Sequence, residues 1–228
     1  MLKMNNISNK IKAVIFDLDG TLLDTISDLA FSMNYALEKC GFPKKELTHH
    51  KKAIGNGLRK YAERSLPEEH ATQDFLDEFV PIVADHYRKN STLKTIPFDG
   101  IFELLDFLGS NNIIINILSN KRDDFVKELT LHYFGDYSFL CANGELPTVA
   151  KKPDPEAALL IAKECNLTPD EILFIGDSTY DIKTGKNANM KTIGVTWGYQ
   201  PLDLLLSEKP DFIAHKPQDI IEYIKATF

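Results

Sequence analysis

Long apolar runs, paired cysteines and basic blocks are all missing from this chain of 228 residues. No stretch approaches the roughly 18 consecutive apolar residues that a membrane span needs, so no membrane partner is expected. The first ten residues, MLKMNNISNK, lack the apolar core of a secretory signal. The three cysteines, Cys40, Cys141 and Cys165, are odd in number and scattered, with no CxxC. Reduced thiols in a cytoplasmic protein are the expectation. Basic residues come in pairs at most, as at 44–45, 51–52 and 151–152, and the net charge is −7. That excludes the basic face of a nucleic-acid binder. An acidic chain binds anions only where a metal ion or helix N-termini build a local positive field.

What is present is core material. With 43% hydrophobic and 26% charged residues, the chain suits one or two globular domains and neither a disordered tail nor a coiled coil. Short apolar runs rich in branched residues at 12–16, 113–118, 138–141, 172–175, 192–195 and 212–214 read as strands. Helical patterns lie between them. Asp99 is the expected N-cap of a helix over 101–108, and another covers 122–133. Asp154 and Pro155 open a helix over 155–165 with a cap and a first-turn proline. Residues 168–171, Thr-Pro-Asp-Glu, have the form of a capping box. This alternation predicts an α/β fold, a doubly wound, mostly parallel Rossmann-like sheet.

Residues 25–90 break the rhythm. Ile26, Leu29, Ala30, Met33, Leu37 and Cys40 share one helix face, with Thr25 and Asp28 as its expected N-terminal box. Phe75, Leu76, Phe79, Val80, Val83 and Tyr87 share another, expected to bend at Pro81. A small α-helical cap domain of residues 23–93, inserted after the first strand, is predicted to roof a core of residues 1–22 and 94–228. Hinges are expected near 22–25 and 91–97. In such sheets ligands sit beyond the carboxyl ends of the strands.

The chemistry begins at Phe16-Asp17-Leu18-Asp19-Gly20-Thr21. Two carboxylates two residues apart leave a buried strand, and Gly20 permits a sharp turn. An isolated DxD is usually an acidic turn. A calcium loop is excluded because Leu22, not glycine, stands at its sixth position. Three further segments follow: Ser119-Asn120-Lys121 after a strand, Lys152-Pro153-Asp154-Pro155 before a helix, and Gly176-Asp177-Ser178-Thr179-Tyr180-Asp181 after another strand. Each alone has a bland reading as a turn, a surface lysine or a helix cap. In this order they resemble the four motifs of the haloacid dehalogenase superfamily of phosphotransferases, over most of residues 12–200.

That resemblance implies Asp17 as nucleophile and Asp19 as general acid and base. It implies Ser119 and Lys152 around the phosphoryl oxygens, aided by a helix N-terminus near Asn120. Mg²⁺ is the implied cofactor, held by Asp17, the main-chain carbonyl of Asp19 and Asp177, with Thr21, Asn120 and Asp181 in support. Physical chemistry agrees, since two carboxylates and a phosphate dianion repel one another and need a cation. Asp19 disfavours carbon–halogen chemistry, because the superfamily's dehalogenases lack that residue. The helical insert resembles the cap of phosphoglycolate phosphatases, small pyrophosphatases and beta-phosphoglucomutases. Within it Gly55, Asn56, Gly57 and Arg59 resemble a phosphoglycolate-phosphatase-like substrate loop, with Arg59 gripping a carboxylate or second phosphate. A surface arginine beside a turn is the alternative. Asp24 is expected to cap the first inserted helix. His49 and His50 are expected as exposed turn residues, and Trp197 and Tyr199 as a pocket edge or core. The expected reaction is Mg²⁺-dependent hydrolysis of a small phosphorylated metabolite, a phosphoglycolate-like phosphomonoester, through an aspartyl-phosphate. A sugar phosphomutase is the alternative, then a pyrophosphatase or a catalytically silent binding protein.

Overall fold

The computed structural model describes residues 11–227. The first ten residues, whose lack of a signal-like core was noted above, lie outside the described residues, as does Phe228. Six parallel strands form the sheet: β1 (Ala13–Phe16), β4 (Ile114–Arg122), β5 (Phe139–Glu145), β6 (Ile172–Gly176), β7 (Lys191–Val195) and β8 (Phe212–Ala214). Their spatial order is β5-β4-β1-β6-β7-β8, and every pairing is parallel. The chain steps outward on one side of β1, then returns to build the other. The crevice for a ligand therefore opens above β1, β4 and β6.

β1 is buried on both faces, as a central parallel strand must be. Val14 and Phe16 point into one core with helices α5 (Ile101–Ser110), α6 (Asp123–Phe134) and α10 (Pro217–Ala226). Ala13 and Ile15 point into the other, where α7 (Glu156–Glu164) packs. Helix α8 (Thr179–Asn187) lies against β6 and β7, and α9 (Leu202–Ser207) follows β7.

Between β1 and the sheet's second strand the chain is mostly helical: α1 (Ile26–Lys39), α2 (Leu47–Ala53), α3 (Gly57–Ser65) and α4 (Gln73–Asn90). They close on a second apolar core, shared with Phe125 of α6, with Met33, Leu37, Ala62, Leu76, Phe79 and Val83 at or near zero exposure. Burying each large side chain contributes roughly 1.5–3 kcal/mol, which holds α4 together through Pro81 as one element. A short antiparallel pair, β2 (Leu23–Asp24) with β3 (Ile96–Pro97), carries the chain out and back. Among the described residues, no helix is long and apolar enough to cross a membrane.

Several local expectations yield to longer-range contacts. Thr25 makes no side-chain cap bond to α1. Its hydroxyl donates to Asp19 Oδ1 at 2.6 Å. Asp28 instead accepts from Lys94 N, Thr95 N and Thr95 Oγ1 at 2.9 Å each, pinning the segment that leads into β3. Gly100, with φ 85°, holds the N-cap of α5 where Asp99 was expected. Pro155 is the N-cap of α7, and Asp154 caps it from one residue further out, accepting from Glu156 N at 2.9 Å. The box at Thr168 and Glu171 forms, but around a single 3-10 turn leading into β6. His50 is not an exposed turn residue. It lies in α2 at 0% exposure, accepts from Tyr61 OH at 2.6 Å and meets the Lys45 carbonyl at 3.1 Å.

Candidate active site

β1, β4 and β6 end side by side, so the residues leaving them converge. Asp17 N donates to Ile175 O at 2.9 Å, carrying the β1–β6 ladder one residue past the strand. Gly20 turns the chain with φ 86°, and a Cβ there would collide with the Asp177 carboxylate. A Cβ at Gly198 would collide with the same side chain and with the Gly20 carbonyl. These two glycines let three loops meet over one acidic group.

At the centre sits Lys152, 3% exposed. Its Nζ donates to Asp17 Oδ1 at 2.7 Å and Asp181 Oδ1 at 2.6 Å. Burial opposes its charge, but the two carboxylates outweigh burial and raise its pKa above the ordinary lysine value. Asp181 is fully engaged, because Oδ2 accepts from Ser178 N at 2.9 Å and Ser178 Oγ at 2.6 Å in the capping box of α8. Asp177 Oδ2 accepts from Tyr199 N at 2.6 Å. Asp17 and Asp177 each keep one oxygen outside these bonds, and both residues line the cavity. Burial pushes the Asp17 carboxyl up to about 6 against the pull of Lys152, with repulsion from Asp181 and Asp19 adding to the rise. Burial, then Asp17 and Asp181, drive Asp177 well above the carboxylate range.

The carboxylate oxygens of Asp17, Asp177 and Asp181 lie within 4.8 Å of one another. Once ionised, these three buried carboxylates outweigh the Lys152 ammonium by two negative charges. A hard divalent cation fits that donor set.

The remaining expected residues surround this centre. Ser119, 4% exposed, lines the cavity and accepts from Lys121 N at 3.3 Å. Asn120 is a strut: Nδ2 donates to Lys152 O at 3.0 Å and Gly55 O at 3.2 Å, and Oδ1 accepts from Lys152 N at 2.9 Å. No helix begins at Asn120, because β4 runs on to Arg122, paired with Glu145, and α6 starts at Asp123. Thr21 is fully buried, and its carbonyl accepts from Trp197 Nε1 at 3.0 Å. Trp197 therefore belongs to the core, whereas Tyr199 lines the cavity. Asp24 Oδ1 accepts from Tyr199 OH at 3.0 Å and approaches Ile26 N only at 3.5 Å.

Gly55 and Gly57 line the cavity from the helical layer, while Asn56 Nδ2 donates to Tyr180 OH at 3.3 Å. Arg59 does not line it. Its guanidinium donates to Asp77 Oδ1 at 2.6 Å and Gln73 Oε1 at 2.7 Å on the exposed side. The lining cation from that layer is Lys51, joined by Leu29, Ile54, Leu58, Tyr61 and Tyr87. Lys121, absent from the expected set, donates to Asp19 Oδ1 at 2.9 Å and Oδ2 at 3.1 Å. Strand alternation gives no signal for it, because the ladder is irregular between Leu118 and Arg122 and Ser119, Asn120, Lys121 and Arg122 all line the cavity.

A parallel sheet that gathers this charge pattern at its carboxyl edge under a helical roof defines a Rossmann-like enzyme suited to phosphoryl groups. The chain belongs to the haloacid dehalogenase-like hydrolase family, whose model matches residues 14–195. It is 31% identical over 212 residues to the phosphoglycolate phosphatase of Aquifex aeolicus, covering 92% of this chain and 95% of that one. It is 33% identical over 195 residues to that of Psychrobacter arcticus, covering 82% and 84%. A crystal structure of a predicted phosphoglycolate phosphatase from Haemophilus somnus superposes with a TM-score of 0.86 at 28% identity, covering 93% of this chain and 97% of that one. The chain is accordingly a phosphatase, a phosphoric monoester hydrolase, similar in sequence and fold to these proteins.

Proposed function

We propose that this phosphatase is Mg²⁺-dependent and hydrolyses a small phosphomonoester whose leaving group carries a carboxylate, phosphoglycolate or a close analogue, through an aspartyl-phosphate on Asp17. The observation that carries this reading is the Asp17 carboxylate. One oxygen is fixed by Lys152, and the other has no hydrogen bond among the described residues in a cavity lined by Ser119, Lys152 and Asp177. In the first step the free oxygen of Asp17 attacks phosphorus, the ester P–O bond breaks, and Asp19 gives its proton to the departing alkoxide. In the second, Asp19 takes a proton from the water that attacks phosphorus, and the Asp17–phosphorus bond breaks to release inorganic phosphate. The Ser119 hydroxyl and the Lys152 ammonium hold the phosphoryl oxygens. Asp181, bound to Lys152, orients that ammonium. Asp17, Asp177 and the main-chain carbonyl of Asp19 would hold Mg²⁺, which supplies the charge neutralisation that phosphoryl transfer needs.

The helical insert of residues 23–93 acts as a cap hinged at β2 and β3, excluding bulk water during transfer and opening for product exit. Its glycines bring backbone close to the leaving group. Lys51 reads the carboxylate, because it is the lining cation without an acidic partner among the described residues. The likeness to phosphoglycolate phosphatases supports this substrate class. The test is phosphate release from phosphoglycolate with Mg²⁺, for the native enzyme and Asp17→Asn. An amide cannot attack phosphorus, so the variant should fall at least about 10³-fold while keeping its native circular dichroism. Retention of more than a few per cent of the rate would refute the nucleophile assignment.

A further inference from the structure

Proton transfer demands that the acid and base group be held in line with the reacting oxygen, and Asp19 is held by two side chains. Its Oδ1 accepts the Thr25 hydroxyl at 2.6 Å. Its two oxygens accept Lys121 Nζ at 2.9 and 3.1 Å. Lys121 is 8% exposed, so water does not compete for this pair, and a charge-assisted bond to both oxygens fixes the plane of the carboxylate. The same ammonium lies 4.6 Å from the centroid of the Tyr87 ring. Tyr87 comes from α4 of the helical layer and is 1% exposed. A cation over an aromatic face is attracted to it. One ammonium therefore joins the sheet's carboxylate to a ring of the roof.

We propose that Lys121 is a positioning residue for Asp19, and that the hold is complete only when Tyr87 stands over it, so that roof position and proton-transfer geometry are coupled. This rests on the reading of Asp17 as nucleophile and Asp19 as acid and base. An ion pair with a merely structural role would lower the melting temperature and leave turnover per folded molecule unchanged. A positioning role slows the second step, in which Asp19 acts as the ionised base that these bonds hold, and leaves substrate binding nearly alone.

The experiment uses the full chain with Mg²⁺ and the variants Lys121→Met, Lys121→Arg, Tyr87→Leu and Asp17→Asn. 4-Nitrophenyl phosphate releases an anion stable enough to depart without a proton, so its first step bypasses Asp19 while its second does not. Rapid mixing of Lys121→Met should give a burst approaching one nitrophenolate per site, then a steady state slowed at least about tenfold. On an alkyl phosphate, whose second step is the same, kcat should also fall at least about tenfold, with no rise in KM. Lys121→Arg should restore part of kcat, and Tyr87→Leu should reproduce the burst with a smaller loss. An unchanged kcat in folded Lys121→Met overturns the proposal, as does a rise in KM with kcat intact. If Lys121→Met fails to fold, Lys121→Arg and Tyr87→Leu decide by the same burst. An Asp17→Asn variant that still turns over removes the nucleophile reading itself. An inert Asp17→Asn beside an unaffected Lys121→Met removes only this one.

Discussion

Replacing Tyr199 by phenylalanine deletes one oxygen and leaves the ring in place. In the folded protein that oxygen accepts from Thr25 N at 2.8 Å and Ile26 N at 3.1 Å, and donates to Asp24 Oδ1 at 3.0 Å. It thus caps α1 from a loop more than 170 residues away in sequence. Thr25 and Ile26 are 0% and 3% exposed, so water does not replace the lost acceptor. Thr25 N loses its partner outright, and Ile26 N keeps only Asp24 Oδ1 at 3.5 Å. A buried donor left unsatisfied costs roughly 1–3 kcal/mol. One full orphan and one partial one give about 3 kcal/mol, which lowers the melting temperature by about 10 °C in a chain of this size. Urea unfolding followed by circular dichroism measures the first quantity and a thermal melt the second. Asp177 is held by the main-chain N–H of Tyr199, which the substitution keeps, so kcat should fall less than about tenfold. A loss of stability below about 0.5 kcal/mol would refute the argument that this hydroxyl caps the hinge.

Removing divalent metal with EDTA should abolish phosphate release and Mg²⁺ should restore it. Ca²⁺ should inhibit, since its looser coordination lets both oxygens of Asp17 bind, and undiminished hydrolysis in EDTA would sink the mechanism. Lys51→Ala should raise KM for phosphoglycolate about tenfold and leave 4-nitrophenyl phosphate nearly unchanged. Arg59→Ala, which breaks only exposed contacts with Asp77 and Gln73, should shift neither by more than about twofold. The opposite pattern would return substrate recognition to Arg59. Burial, then repulsion from His49, pushes the His50 imidazole from 6.5 down to about 4. The unfolded chain therefore binds a proton that the folded one refuses. The stability this confers is complete above pH 6.5 and is lost as pH falls toward 4. Urea midpoints should decline over that window, and a His50→Gln variant with the same slope would exclude His50 as the cause.

Local sequence determined a good deal of this protein. Apolar runs separated by amphipathic segments fixed an α/β sheet, because period and turn residues report local backbone needs directly. The acidic turn after β1 and the later serine, lysine and GDSxxxD segments marked residues that the structure gathers together, since parallel strands deliver their carboxyl ends to one edge. Partners across space were decided only by the tertiary structure. Thr25 and Asp28 look like a helix box but bond to Asp19 and to residues 94–95, which lead into β3. β4 extends through the polar Ser119, Asn120 and Lys121 because Arg122 finds Glu145 on the neighbouring strand. Arg59 looks like the anion reader, yet Asp77 and Gln73 of α4 take its guanidinium and leave Lys51 facing the cavity. Lys121 carries no motif of its own, and its hold on Asp19 exists because β4 lies beside β1 beneath Tyr87. A residue's type sets which bonds it can make, and packing sets which distant group is near enough to make them.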